Sequence, residues 1–275
     1  MLPIPKRIHF IWLGPRRLPD YAVANIAACR RLHPDYQVEV WTEDRLDFDC
    51  HFPKAACVLR QWSRASNYFR MQVLERHGGI YLDTDVEVLR RLDPLLDDDA
   101  FAGFQLATFA PDCVNGAVIG SRPGHWFVRE ARLRLAERMT GAEPVDSSTG
   151  PGNVTAVLIE HGLREIADAK TYVDGVAIHP RRAFYPFDWN VRQEDRRTAP
   201  DSFTAHGWAR SWVPKRRAIN RHAEWARSTV PLYWRIDRAV KTLRRSRAQL
   251  RPVSTMLALH FDLTHGNAQA RPAAR

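Results

Sequence analysis

Hydrophobic residues follow two patterns along the first two-thirds of the chain. Short apolar runs rich in β-branched and aromatic residues predict strands, whereas apolar positions three or four apart predict helices. The predicted strands cover residues 7–13, 38–41, 80–83, 100–104, 114–119 and 176–178. The predicted helices cover residues 21–33, 54–62, 66–77, 125–139 and 153–161. Because the two kinds of element alternate, we predict an α/β fold with a mostly parallel central sheet and helices on both faces.

The stretch from Gly78 to Asp85 combines a helix stop, a short strand and two carboxylates. Gly78 and Gly79 can end the preceding helix because glycine adopts left-handed dihedrals without steric cost. Asp83 and Asp85 follow the apolar run at the carboxyl end of the strand, where open α/β sheets bind ligands. Two carboxylates so close repel each other, and Mg²⁺ or Mn²⁺ removes that repulsion. The motif predicts a metal–diphosphate site; the alternative is that Asp83 only caps the following turn.

Other polar and aromatic residues are predicted to lie near this motif. Asn67 and Arg70 are three residues apart on the preceding helix and therefore share a face, which is either part of the pocket or a solvated polar face. Trp12 ends the first strand and is either a surface for stacking a nucleobase or a core residue. Asn115 lies at a strand-like turn where a donor sugar or acceptor could bind. Residues 183–212 are aromatic and irregular, as expected of a loop that closes over a ligand.

The composition describes an ordinary globular chain. Its 275 residues suffice for one complete α/β core with a small appendage. No apolar run approaches the ~20 residues of a membrane span, and no signal-peptide pattern is present at the N-terminus. The cysteines show no Cys-x-x-Cys spacing and are expected to be reduced. We therefore expect a cytoplasmic protein.

The net charge of +10 is unevenly distributed. Residues 1–213 hold 27 Lys/Arg and 28 Asp/Glu, whereas residues 214–275 hold 14 Lys/Arg and only 3 Asp/Glu. This split predicts a catalytic domain at 1–213 and a basic, partly helical C-terminal appendage at 214–275. Apolar residues recur there at helical spacing, at Leu232, Ile236, Val240 and Leu243.

Such a basic amphipathic helix suits the surface of an anionic membrane, which would place the protein on the inner face of the cell membrane. The alternatives are a helix packed on the domain with a solvated basic face, and nucleic-acid binding. No recognisable nucleic-acid-binding module accompanies the charge, so we do not expect nucleic acid as a partner.

The motif belongs to a wider pattern that spans roughly residues 4–212. Its segments are Ile4–Gly14, Pro34–Tyr36 with Val38 and Trp41, Ala65–Arg70, Leu74, Gly78–Asp85, Thr149–Pro151, His206 and Ser211–Trp212. This pattern resembles the sugar-binding region of family 32 glycosyltransferases. That family includes the yeast initiating mannosyltransferase, the inositol-phosphoceramide mannosyltransferases and bacterial capsule and lipo-oligosaccharide enzymes.

The resemblance implies a Rossmann-like fold of the GT-A type, a bound Mn²⁺ or Mg²⁺ and transfer with retention of anomeric configuration. It implies that Asp85 binds the metal directly, while Asp83 contacts the ribose and a metal-bound water. His206 would complete the metal site, because imidazole is a plausible ligand of Mn²⁺. The donor-binding residues that it implies, with those proposed above, are Trp12, Asn67, Arg70, Tyr81, Asp83, Asn115, Ser211 and Trp212.

Asn67 departs from the family pattern, in which an Asp at this position and the Arg three residues later hydrogen-bond the hydroxyls of the donor sugar. The amide of Asn67 still donates and accepts hydrogen bonds, but it lacks the charge. Arg70 matches the pattern. The identity of the sugar and the strength of catalysis are therefore open.

Together these features predict a glycosyltransferase that moves a hexose from a UDP- or GDP-linked sugar to a glycan or lipid-linked acceptor. One alternative is a catalytically weak or non-enzymatic nucleotide-sugar binder, which the replacement at Asn67 favours. A more remote alternative is a basic nucleic-acid-binding protein in which the Asp-x-Asp sequence is incidental.

Overall fold

The structure is a computed structural model that describes residues 3–137 and 149–209. The predicted basic appendage, its boundary at 213/214, and Ser211 and Trp212 lie outside the described residues. Among the helices of the described ranges, none is long and apolar enough to cross a membrane.

The strands form one large sheet and one small sheet. They are β1 (Arg7–Ile11), β2 (Gln37–Trp41), β3 (Gly79–Leu82), β4 (Val86–Val88), β5 (Ala100–Phe104), β6 (Val114–Ser121), β7 (Thr171–Val173), β8 (Val176–His179) and β9 (Thr204–His206). The seven-stranded sheet has the order β2-β1-β3-β6-β5-β8-β7, and β4 pairs with β9 in the two-stranded sheet.

Strand direction agrees with the predicted fold class. The pairs β1–β2, β1–β3 and β5–β8 are parallel. The pairs β3–β6, β5–β6 and β7–β8 are antiparallel. Five strands of the large sheet therefore run in one direction, and only β6 and β7 run in the other. The α/β class with a mostly parallel sheet is confirmed.

Helices cover both faces of this sheet, as predicted. They are α1 (Asp20–Leu32), α2 (His51–Val58), α3 (Trp62–His77), α4 (Trp126–Ala136), α5 (Pro151–Glu160) and α6 (Arg181–Phe184). Helices α2 to α5 contribute to one hydrophobic core, and α1 and α6 contribute to the other. Alternate residues of β3 point to opposite cores, with Tyr81 in the first and Ile80 and Leu82 in the second.

Several element boundaries differ from the prediction. The helix predicted at 54–62 ends at Val58, because the chain turns at Arg60, whose φ is 55°. Helix α3 consequently begins at Trp62 instead of residue 66. Four further elements, β4, β7, β9 and α6, were not predicted and have only three or four residues each. Elements this short show no measurable periodicity.

The predicted glycine stop between α3 and β3 is confirmed. Gly78 and Gly79 have φ values of 62° and 98°. A Cβ on Gly79 would lie 2.7 Å from the carbonyl oxygen of Arg7, so the glycine also permits close contact with β1. The buried His9 bonds the Gly78 carbonyl through Nε2, at 2.8 Å. This turn fixes where β3 begins and therefore where the two aspartates emerge.

Candidate metal and donor-sugar site

Two aspartates and one histidine converge where β3 leaves the sheet. Asp83 and Asp85 occupy the connection from β3 to β4, and His206 is the last residue of β9. The antiparallel pairing of β4 with β9 places His206 opposite Val86. One ligand atom from each of Asp83, Asp85 and His206 lies within 4.8 Å of the others. The fold thus brings the predicted metal ligands together.

Asp85 is held through both carboxylate oxygens. His206 Nε2 lies 3.2 Å from Oδ1, and the backbone N–H of Ala209 donates to Oδ2 at 2.8 Å. The N–H of Gly207 also donates to the Asp85 carbonyl, at 2.7 Å. Burial opposes the charge on this carboxyl, but the His206 imidazole and the Ala209 amide outweigh it and lower the pKa of Asp85. The side chain is therefore a carboxylate at neutral pH and is ready to bind a cation.

Among the described residues, the side-chain partners of Asp83 all use one of its carboxylate oxygens. Its Oδ1 accepts a hydrogen bond from the Tyr81 hydroxyl at 2.7 Å and lies 3.0 Å from a terminal nitrogen of Arg70. Burial raises the pKa of the Tyr81 phenol, so this hydroxyl stays protonated and acts as the donor. Because both partners use Oδ1, Oδ2 is the oxygen left to face a ligand.

Arg70 is buried and its three guanidinium nitrogens are all engaged inside the protein. One terminal nitrogen contacts Asp83, the other donates to the Gly116 carbonyl at 2.7 Å, and Nε donates to the Ser66 carbonyl at 3.4 Å. The guanidinium also lies 4.6 Å from the centre of the Tyr81 ring. Burial opposes the charge on Arg70, but Asp83 and neighbouring tyrosines raise its pKa. In this structure Arg70 orients Asp83.

Asn67, on the same helix, points to a different neighbour. Its Nδ2 donates to Thr149 Oγ1 at 3.2 Å, and its amide lies beside Gly150, just before α5. Arg70 and Asn67 therefore extend from α3 to the aspartates and to the start of α5, respectively. The predicted contacts of both side chains with a donor sugar stay predictions.

The other two predicted residues, Asn115 and Trp12, form their hydrogen bonds within the protein. Asn115 is buried on β6, where its Nδ2 donates to Gln105 Oε1 at 2.6 Å and its Oδ1 accepts from Ala117 N–H at 2.8 Å. Both of its amide atoms thus serve the protein interior. Trp12 is half-buried just after β1, and its Nε1 donates to the Arg16 carbonyl at 2.6 Å. Its ring is available to a ligand only in part.

The sequence analysis did not assign a role to two aromatic residues beside the cluster. The ring of Trp208 lies 4.1 Å from that of His206. The ring of the buried Tyr185 lies 5.9 Å from that of His206, and its hydroxyl accepts a hydrogen bond from Val118 N–H at 3.1 Å. The only signal for them was the density of aromatic residues after position 183, which does not reveal their partners.

The donor set fits a divalent cation. Carboxylate oxygens suit Mg²⁺ and Mn²⁺, and an imidazole nitrogen favours Mn²⁺ over Mg²⁺. Two ligands at right angles on a metal at ~2.1 Å lie about 3.0 Å apart. Asp85 Oδ1 and His206 Nε2 are 3.2 Å apart, which matches such a pair. The three ligand residues found within 3–137 and 149–209 leave coordination positions for phosphate oxygens.

The fold and this cluster define an α/β protein with a candidate metal site of the Asp-x-Asp kind. Residues 19–102 match the protein family described as "Glycosyltransferase sugar-binding region containing DXD motif". The resemblance found in the sequence is confirmed, because the matched stretch contains Asp83 and Asp85.

Several relatives are glycosyltransferases by name. Over 219 residues the chain is 26% identical to an uncharacterized glycosyltransferase of Acanthamoeba polyphaga mimivirus, covering 77% of this chain and 84% of that protein. It is 32% identical over 138 residues to an inositol phosphoceramide mannosyltransferase of Schizosaccharomyces pombe, covering 48% of this chain and 37% of that protein. It is 34% identical over 129 residues to a mannosyl phosphorylinositol ceramide synthase of Saccharomyces cerevisiae, covering 45% and 33%. The match thus spans only about a third of either fungal protein.

Two solved structures show more distant likenesses. The PaToxG glycosyltransferase aligns with a TM-score of 0.48 at 18% identity, covering 57% of this chain and 70% of that one. The galactosyltransferase LgtC, in complex with donor and acceptor sugar analogs, aligns with a TM-score of 0.42 at 17% identity, covering 83% and 99%. The α/β assignment rests on the sheet of this protein itself.

Proposed function

We propose that this protein is a metal-dependent, retaining glycosyltransferase that moves a hexose from a nucleotide-diphosphate sugar to a glycan or glycolipid acceptor. The observation that carries the proposal is the convergence of Asp83, Asp85 and His206 at one end of β3, with both aspartates inside the region that matches the glycosyltransferase family. Fixed carboxylate and imidazole donors suit a cation that in turn holds a diphosphate.

The residues around the cluster would have different roles in binding the cation and the donor. Asp85 and His206 would hold the cation, and Asp83 would present its Oδ2 to the donor while Tyr81 and Arg70 fix its Oδ1. A divalent cation bound there stabilises the negative charge that develops on the leaving nucleoside diphosphate. Asn67 would contact the sugar and help to orient it, and orientation alone can be worth several orders of magnitude in rate.

Retention does not require a carboxylate nucleophile in this proposal. Asp83 and Asp85, the carboxylates at the cluster, are engaged by neighbours in the described part of the chain. The acceptor hydroxyl would attack the anomeric carbon from the face that the diphosphate leaves. The bond from the sugar to the diphosphate breaks, the new glycosidic bond forms, and a phosphate oxygen takes the hydroxyl proton. Retaining hydrolases, by contrast, form a covalent intermediate.

The names of the relatives support a lipid-linked acceptor. Two relatives are named as enzymes that mannosylate inositol phosphoceramide, and two more as lactosylceramide 4-alpha-galactosyltransferases. The basic composition of residues 214–275 fits attraction to an anionic membrane, which would place the protein at the cytoplasmic membrane surface. Co-sedimentation with anionic and neutral vesicles tests this placement, and equal sedimentation with both would refute it.

A thermal-shift screen with UDP- and GDP-sugars, each with and without Mn²⁺, tests the function. A ligand at about 100 times its dissociation constant stabilises the native state by about 2.7 kcal/mol, or roughly 5–10 °C for a domain of this size. The matched control is Asp85→Asn, which keeps the shape of the side chain and removes its charge. We expect a Mn²⁺-dependent rise in melting temperature for the wild type and its loss in Asp85→Asn. If no donor raises the melting temperature of the wild type, the proposal is wrong.

The second candidate, a weak or non-enzymatic nucleotide-sugar binder, is favoured by one observation. Asn67 carries no charge, and its amide is engaged with Thr149. Donor hydrolysis by the wild type and by Asn67→Asp separates the candidates. Hydrolysis by the wild type supports the enzyme, whereas binding without turnover that Asn67→Asp converts to turnover supports the binder.

A further inference from the structure

The segment that follows β9 contains an aromatic residue in an unfavourable backbone conformation. Trp208 has a φ of 53°, one of three positive values at non-glycine residues in the ranges 3–137 and 149–209. This region is sparsely populated by bulky residues and persists only where the surroundings determine it. Because such outliers cluster at functional sites, the contacts of Trp208 are of interest.

The side chain of Trp208 is fixed on several sides. Its indole Nε1 donates to the Phe187 carbonyl at 3.1 Å. Its ring lies 4.1 Å from that of His206 and 6.2 Å from that of Tyr185. The indole thus packs directly against the imidazole that the cluster supplies. It restricts the orientations that His206 can adopt.

The backbone on either side of Trp208 holds Asp85. The Gly207 N–H donates to the Asp85 carbonyl and the Ala209 N–H donates to Asp85 Oδ2, at 2.7 and 2.8 Å. A Cβ on Gly207 would lie 2.7 Å from the Asp85 carbonyl oxygen, so only glycine permits this approach. The turn at Trp208 brings both amides to the same aspartate. Since Ala209 occupies Oδ2, the other oxygen is directed toward His206.

We propose that Trp208 is a positioning residue that holds His206 and Asp85 in the arrangement that binds the cation. Its ring packs against His206, and its backbone turn brings the neighbouring amides to Asp85. This inference rests on the proposed metal dependence of the site. Removing the indole frees the imidazole to rotate and loosens the turn that aims the Ala209 amide. Both changes weaken metal binding, although Trp208 itself supplies no ligand atom.

The test is Mn²⁺ binding, measured from the electron paramagnetic resonance signal of the free ion, with Mn²⁺ alone and with UDP or GDP added. The variants are Trp208→Ala, Trp208→Gly and Trp208→Phe. Glycine accepts the positive φ without strain, so Trp208→Gly separates loss of the ring from strain in the backbone. The matched control is Trp126→Ala, because the Trp126 indole also donates to a carbonyl, that of Asp174, and stacks on a histidine, His161 at 3.9 Å.

We expect the Mn²⁺ dissociation constant to rise about tenfold in Trp208→Ala and Trp208→Gly, and to stay within about twofold of wild type in Trp208→Phe, as for residues that orient metal ligands. Trp126→Ala should lower the melting temperature without changing the dissociation constant. Folded Trp208→Ala and Trp208→Gly proteins with unchanged Mn²⁺ affinity would overturn the inference, as would failure of both variants to fold. If the wild type itself binds no Mn²⁺ under any of these conditions, the proposed metal dependence fails instead.

Discussion

Removing the Tyr81 hydroxyl tests one of the two contacts that orient Asp83. The change Tyr81→Phe keeps the buried ring and its contact with the Arg70 guanidinium, whose centre lies 4.6 Å away. It deletes the O–H that donates to Asp83 Oδ1 at 2.7 Å, and with it the longer contact of that hydroxyl with Ser66 Oγ at 3.4 Å. Asp83 then keeps Arg70 as its partner on that oxygen, at 3.0 Å.

The size of the effect follows from the charge of the acceptor. A hydrogen bond to a charged group contributes about 1.5–3 kcal/mol, roughly twice a neutral one. Because Asp83 retains Arg70 and is only partly buried, with 27% of its side chain exposed, we expect the lower end, about 1.5 kcal/mol. For a domain of this size that corresponds to a drop of roughly 3–6 °C in melting temperature. Binding of the donor with Mn²⁺ should weaken as well, because Asp83 is no longer held in one orientation.

Urea denaturation and thermal melting measure the stability, and titration with the donor identified in the screen measures the affinity. Tyr36→Phe is the matched control, because the Tyr36 hydroxyl is buried without a hydrogen-bond partner among the described residues. Its removal should change the stability by less than about 0.5 kcal/mol. A double-mutant cycle with Asp83→Asn isolates the pair. A coupling energy near zero would refute the argument that Tyr81 orients Asp83.

Two further predictions concern stability. Burial lowers the pKa of His125 to about 4, so the folded state favours the neutral imidazole. The free energy of unfolding should therefore be retained above pH 6.5 and should fall as the pH drops from 6.5 toward 4, by up to about 3 kcal/mol. His125→Asn keeps an N-cap for α4 without a titrating group. The difference in stability between urea melts at pH 7 and pH 5 should therefore be smaller in this variant than in the wild type, and an unchanged difference would contradict the prediction. Gly79→Ala should destabilise by more than about 2 kcal/mol, because φ is 98° and the Cβ would lie 2.7 Å from a carbonyl oxygen. Gly175 has a φ of 80°, but a Cβ there would meet no described atom within 4 Å, so Gly175→Ala should cost only about 1 kcal/mol. Equal losses of stability for the two variants in thermal melts would show that the contact with the Arg7 carbonyl does not matter.

Local sequence determined the part of the site that lies on consecutive residues. The glycines that end α3, the apolar run of β3 and the two aspartates all act over a few residues, through allowed dihedrals, burial and the position of a strand end. For that reason the two aspartates at a strand end, the alternation of strands and helices and the position of Asn67 and Arg70 on one helix could be predicted. Boundaries were less certain, as the early end of α2 at Val58 shows, because helix ends depend on turn conformations that hydrophobic spacing does not report.

Only the tertiary structure decided which distant residues meet. His206 lies beside Asp85 across 121 positions of sequence because β9 pairs with β4, a strand of three residues with no signal of its own. The same holds for the Arg70 bond to the Gly116 carbonyl, 46 positions away, and for the inward-facing amide of Asn115. Strand order and register follow from the packing of two complete cores, and a one-residue shift would turn every side chain to the other face. The amino-acid sequence therefore supplied the chemical groups of the site, and the packed fold determined their partners and directions.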